Sequence, residues 1–245
     1  MSEADNAPSL PAWQVLTLAP LAGVFITLSL APFSFWPASI LGCALLAYLL
    51  ASCTPRQAAW RGWRCGVGLF GSGASWVYVS INVYGNASVP LASFLTIVFC
   101  AGLALLHALQ AWFYAKVIRP LPGGMLLGFA ALWVLGEWLR SWMFTGFPWL
   151  YVGYGHIDTW LSGWAPITGV FGLSFAVAFS ASCFFLAWRR PQTATLVSYG
   201  GLLATLWGGG LMLKPIEWVA PAAQQPLKVA LYQPNIPLEK KWDRR

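Results

Sequence analysis

Residues 90–114 read PLASFLTIVFCAGLALLHALQAWFY, 25 positions without one formal charge. As a helix this stretch would be roughly 37 Å long, enough to cross the ~30 Å hydrocarbon core of a bilayer. It lies within a longer charge-free run, 65–115, and comparable runs cover 6–55, 120–136, 159–188 and 191–213. The two longest are interrupted near their middles by helix-stopping residues: Pro32, Ser34 and Pro37 in one, Gly85, Asn86 and Pro90 in the other. Seven spans follow, at about 11–30, 37–53, 65–82, 90–114, 122–140, 160–187 and 193–213. The expected fold class is an all-α polytopic membrane protein.

Composition supports this. Of 245 residues, 9% are charged and 58% hydrophobic, whereas a soluble domain carries roughly 25% charged residues. Such a chain cannot cover itself with a water-facing surface. Disorder is excluded by the same imbalance, since disordered chains are rich in charge and poor in aromatics. Five cysteines are too few for a disulfide scaffold. The net charge of +7 needs no nucleic-acid partner, because the basic residues gather in alternate loops and at the C-terminus. Arg56, Arg61 and Arg64 follow the second span, Lys116 and Arg119 the fourth, Arg189 and Arg190 the sixth. Basic loops stay cytoplasmic on insertion, which places the N-terminus (1–10) in the cytoplasm and everything after the seventh span outside it. Met1-Ser2-Glu3-Ala4-Asp5 is acidic where a signal peptide is basic, so the first span is read as a retained helix.

Beyond the membrane domain (11–213), residues 214–226 read as a proline-rich linker. Residues 227–233, LKVALYQ between Pro226 and Pro234, have the pattern of a short strand. One strand cannot satisfy its own backbone groups, so 227–245 is expected to begin an extracytoplasmic domain that it does not complete. The simpler alternative is a disordered tail.

Candidate chemistry is sparse. Cys43, Cys53, Cys65, Cys100 and Cys183 have neither redox nor metal-ligand spacing. Three of them fall inside spans, where a thiol is an inert filler; Cys53 and Cys65 lie near arginines, and a catalytic role is not expected for either. No metal site and no cofactor are expected. His107 reads as a helix-packing residue. His156 and Asp158 have the composition of a base and its orienter, but the simpler reading is a solvated loop pair. The glycines of Gly66-x-Gly68-x-x-Gly71 follow no strand, so small-residue helix packing explains them better than nucleotide binding. The most unusual stretch is 137–166. Glu137 and Arg140 share a helix face at membrane depth, where ionisable groups are functional by default; a structural ion pair is the competing reading. Next, Gly146, Pro148, Gly153 and Gly155 break an otherwise apolar segment that carries Trp142, Trp149, Tyr151 and Tyr154. Broken backbone at membrane depth persists only against protein or a polar cavity. This segment is read as an interfacial platform suited to admit a phospholipid.

These same residues carry a resemblance. Glu137-Trp-Leu-Arg140, Thr145-Gly-Phe-Pro-Trp149, Gly153-Tyr154, Ala165-Pro166 and Gly169-Val170 resemble bacterial apolipoprotein N-acyltransferases, as do Ala31-Pro32-Phe33, Gln233-Pro-Asn-Ile-Pro237 and Lys241-Trp242-Asp243. The resemblance implies a multispan domain carrying an extracytoplasmic nitrilase-like α/β domain, of which 227–245 would be the start. It also implies a Glu-Lys-Cys triad in that domain whose thiolate takes an acyl group from a phospholipid donor as a thioester. The acyl group then passes to the diacylglyceryl-cysteine at an apolipoprotein's N-terminus. No cysteine here matches that nucleophile, so no catalytic residue is assigned and the 245 residues alone are expected to be inactive. Trp242, Trp149, Glu137 and Arg140 are carried over as substrate-side residues. A monomer in the bacterial inner membrane is implied, with no cofactor and with 227–245 periplasmic. The competing classes are a polytopic transport or lipid-binding protein and a membrane scaffold.

Overall fold

The computed structural model describes residues 11–219 and 228–236, and these are helical with no strand. The chain runs through α1 (Ala12–Leu28), α2 (Pro37–Leu50), α3 (Pro55–Gly73), the single turn α4 (Val77–Val79), α5 (Val89–Phe113), α6 (Phe129–Trp142), α7 (Ala165–Arg189) and α8 (Thr193–Leu213). Three stretches are long and apolar enough to cross a bilayer: Val89–Ile118, Trp160–Arg189 and Thr193–Leu213. Ala12–Leu28 and Pro37–Leu50 are apolar but shorter. Outward faces are apolar too: Phe94, Ile97 and Leu105 on α5, and Val197 and Met212 on α8, are all more than half exposed. A water-soluble protein rarely shows so large an apolar surface; lipid solvates it without cost.

Both interruptions in the long apolar runs are where the sequence puts them, with α2 starting at Pro37 and α5 at Val89. The third span differs. Helix α3 begins ten residues before the expected position, at Pro55, under a reciprocal cap in which Gln57 N–H donates to Thr54 Oγ1 (3.3 Å) and Thr54 N–H to Gln57 Oε1 (3.0 Å). It ends at Gly73, and the chain resumes as α4 and a π-helical turn, Ser80–Tyr84. Arg56, Arg61 and Arg64 therefore lie on the helix rather than in a loop. Arg61 is buried and donates to Leu49 O, while Arg119 donates to Leu50 O at 2.7 Å. Two guanidinium groups thus satisfy carbonyls at the C-terminus of α2, which have no partner within their own helix.

Helix α3 packs between α1 and α5, while α2 packs on α1 and α7, and α6 on α7. Close approach depends on glycine: a Cβ on Gly68 would strike Pro20 O of α1, and one on Gly66 would sit 2.8 Å from Ala104 Cα of α5. This is the small-residue packing expected for these glycines. Polar side chains add to it, with Thr27 Oγ1 donating to Leu69 O (3.2 Å) and Ser72 Oγ to Thr27 Oγ1 (2.8 Å). Helix α8 is held by two indoles, Trp164 Nε1 to Leu206 O (2.9 Å) and Trp207 Nε1 to Ser180 Oγ (3.1 Å).

At the C-terminus, residues 228–236 are exposed and take part in no strand pairing, so the strand expected at 227–233 is not seen in its described part. Leu231 is 96% exposed; without a neighbouring strand its backbone has nothing to pair with. Trp242 lies outside the described residues.

Candidate functional site

Helix α6 stops at Trp142, and the chain reverses through Phe144 (φ 53°), Thr145 (φ 75°) and Gly146 (φ 87°). A Cβ at Gly146 would strike Ser141 O, so both the dihedral and the space demand glycine. The reversal returns Phe147 N–H to Arg140 O at 2.7 Å. Phe147 then enters the core against Phe99 (5.4 Å between centroids) and Phe70 (6.2 Å). Trp149 stays half exposed, packed on Phe147 and Trp76.

Two buried charged residues pin this returning segment from below. Glu137 Oε1 accepts from Trp133 Nε1 (3.0 Å) one turn earlier on α6 and from Val152 N–H (2.9 Å). Arg140 lies between the rings of Tyr151 (5.0 Å) and Phe70 (5.2 Å) and points Nη2 at Leu150 O, 3.4 Å away. The hydrogen bonds of both side chains go to neighbouring structure rather than to each other. Both side chains meet the segment 147–152, at Val152 N–H and at Leu150 O. Glu137 Oε2 and Arg140 Nη1 are buried without a hydrogen-bond partner. Gly153 N–H donates to Ser174 Oγ on α7 (3.0 Å), and a Cβ there would crowd Val170 O and Ser174. Below it α7 is kinked at Gly169 (φ 64°).

His156 overturns its simpler sequence reading. It is fully buried, not solvated, and Asp158 is exposed beside it. Its Nε2 lies 2.9 Å from Ser39 Oγ on α2 and its Nδ1 3.4 Å from Thr159 Oγ1, while Trp36 and Trp207 pack edge-on at 5.8 and 5.9 Å. Burial pushes its pKa down to about 4, keeping the ring neutral at physiological pH. Around Trp36 and Trp207 opens a cavity of about 610 Å³, also lined by Ser29, Tyr154, Asp158 and Trp160. Lys214 Nζ closes one edge through Asp158 O (3.2 Å). No sequence pattern joins Ser39, His156 and Trp207, which lie on three separated segments; only packing brings them together.

The other candidates behave as fillers. His107 stands between Phe70 (5.4 Å) and Trp133 (5.9 Å), a packing histidine as expected. All five cysteines are free and buried. Among the described residues no group of three His, Cys, Asp or Glu could hold a metal.

Residues 22–183, which include Glu137, Arg140, the segment 147–152 and His156 but not Trp207 or Lys214, match the family model described as apolipoprotein N-acyltransferase N-terminal domain. Relatives named apolipoprotein N-acyltransferase include one from Pseudomonas paraeruginosa, 48% identical over 238 residues, covering 96% of this chain and 46% of the relative. Another, from Azotobacter vinelandii, is 44% identical over 95% of this chain and 46% of its own length. A third, from Coxiella burnetii, is 40% identical over 92% and 47% respectively. The chain thus spans about half the length of the curated relatives it matches.

Proposed function

Because this chain belongs to the apolipoprotein N-acyltransferase family, we propose that it is the membrane portion of an enzyme that moves a fatty acyl chain from a phospholipid to the N-terminal diacylglyceryl-cysteine of apolipoproteins. The reaction runs through a thioester on a nitrilase-like domain, with no cofactor. The observation that carries the reading is the segment 147–152, pinned by Glu137 within the family-matched region, with a 610 Å³ aromatic cavity nearby. Half-exposed Trp149 suits the interfacial contact with lipid, and Trp242 is assigned a contact with substrate. Glu137 and Arg140, buried beneath, act as positioning residues. Buried thiols do not serve as acyl acceptors, so the nucleophile belongs to the nitrilase-like domain rather than to residues 11–219.

The proposed topology has seven spans, α1, α2, α3, α5, α6, α7 and α8, in the bacterial inner membrane. The N-terminus is cytoplasmic and the residues after α8 are periplasmic. Support comes from the gathering of Arg56, Arg61, Arg64, Lys116 and Arg119 at the end of the bundle opposite Trp149. In this reading the enzyme acts as a monomer.

The test is a chimera joining this chain to the remaining half of the Pseudomonas paraeruginosa relative, assayed with labelled phospholipid and a diacylglyceryl peptide. The chimera is expected to transfer the label and the 245-residue chain alone to transfer none. Turnover by the 245 residues alone would refute the division of labour. A folded chimera that binds phospholipid without transfer would favour a lipid-binding or transport role.

A further inference from the structure

At the opposite end of the bundle from Trp149, α3 and α5 form a cleft of about 460 Å³, lined by Arg56, Trp60, Trp63, Leu105, Ala108 and Trp112 together with Ala59. Its walls are aromatic. Trp63 is fixed by its Nε1 bond to Ala101 O (3.2 Å) and by Trp60, edge-on at 5.6 Å. Cations stand over these indoles. Lys116 Nζ lies 4.6 Å from the Trp112 ring, and the Arg64 guanidinium lies 5.8 Å from Trp60. Arg56 lines the cleft and is exposed, and Lys116, over the ring of the lining Trp112, is exposed as well.

Among the described residues no carboxylate pairs with these cations, and the sequence contains no Asp or Glu between Asn6 and Gly136. Arg61 and Arg119 are occupied by carbonyls of α2, whereas Arg56 and Lys116 have no hydrogen-bonded partner among the described residues. Exposed cations beside an aromatic cleft match a molecule with an anionic head and an apolar body. We propose that this cleft binds an anionic phospholipid, its phosphate between Arg56 and Lys116 and its upper acyl chain against Trp60, Trp63 and Trp112. The site is separate from the cavity around Trp36 and Trp207. On the topology proposed above it opens to the cytoplasmic leaflet, but binding itself does not depend on that assignment.

The experiment is native mass spectrometry of the purified chain, delipidated and then supplied with phosphatidylglycerol or phosphatidylcholine. Phosphatidylglycerol should be retained and phosphatidylcholine should not. Removing two cations worth roughly fivefold each should lower occupancy at least about tenfold in Arg56→Gln/Lys116→Gln. Arg190→Gln, an exposed cation at the end of α7 that does not line the cleft, should change nothing. Arg56 and Lys116 are both exposed, so folding is expected to survive; if the double variant does not fold, Arg56→Gln alone gives the readout as a severalfold loss. Equal retention of the two lipids, unchanged occupancy in the Arg56 variants, or an equal loss in Arg190→Gln would each overturn the proposal.

Discussion

Glu137→Ala would remove the acceptor shared by two buried donors, Trp133 Nε1 and Val152 N–H. Leaving a buried donor unpaired costs about 1–3 kcal/mol, so the two together amount to roughly 2–6 kcal/mol. Part of this is offset, because the substitution also withdraws a buried carboxylate whose Oε2 already has no partner. A net loss of about 2–4 kcal/mol remains, concentrated on the segment that begins at Phe147. Glu137→Gln keeps an oxygen at the Oε1 position and is expected to stay within about 1 kcal/mol of the native protein. The assay is hydrogen exchange of the Val152 amide in nanodiscs. Its protection should fall roughly 30- to 700-fold in the alanine variant and by less than about tenfold in the glutamine variant. If the two variants exchange alike, the carboxylate oxygen is not what holds the segment and the pinning argument fails.

Two further outcomes follow from the packing. Gly68→Val drives a side chain into Pro20 O of α1, with an expected loss of about 1–3 kcal/mol or more; a thermal midpoint equal to that of Gly71→Val, where a Cβ meets nothing within 4 Å, would show that the α1–α3 contact is not close. His156 is neutral in the fold, with its pKa lowered to about 4 from 6.5. Between those values the unfolded chain binds a proton that the folded one excludes, so stability falls as pH drops through the window and levels off below about 4, by a total of about 3 kcal/mol. Denaturation measured across that range should show the slope in the native protein and lose it in His156→Gln; an unchanged slope would assign the effect to other groups.

Much of this architecture is legible in the chain itself. A stretch such as 90–114 can be stable only where no water must be faced. Proline at 37 and 90, closely preceded by Ser34 and by Gly85 and Asn86, suits the first turn of a new helix, whereas Pro20, which no such residue closely precedes, is carried inside α1. Glycine at 146 and proline at 148 likewise mark broken backbone before any contact is known. The start of α3 was hidden because a charge-free run is a poor guide where arginines find carbonyls to bind: Arg61 reaches Leu49 O across a helix–helix contact that linear spacing does not encode.

Sequence alone therefore determined the solvent of this protein, its helical class and the positions at which its helices must break, because these depend on the transfer cost and backbone limits of each residue by itself. Tertiary structure alone decided what the buried polar groups do. Glu137 holds Val152 N–H, Arg140 lies between two aromatic rings, and His156 meets Ser39 from 117 positions away. A hydrogen bond needs its partner within about 3 Å, and that distance is set by how helices pack, not by the order of residues along the chain.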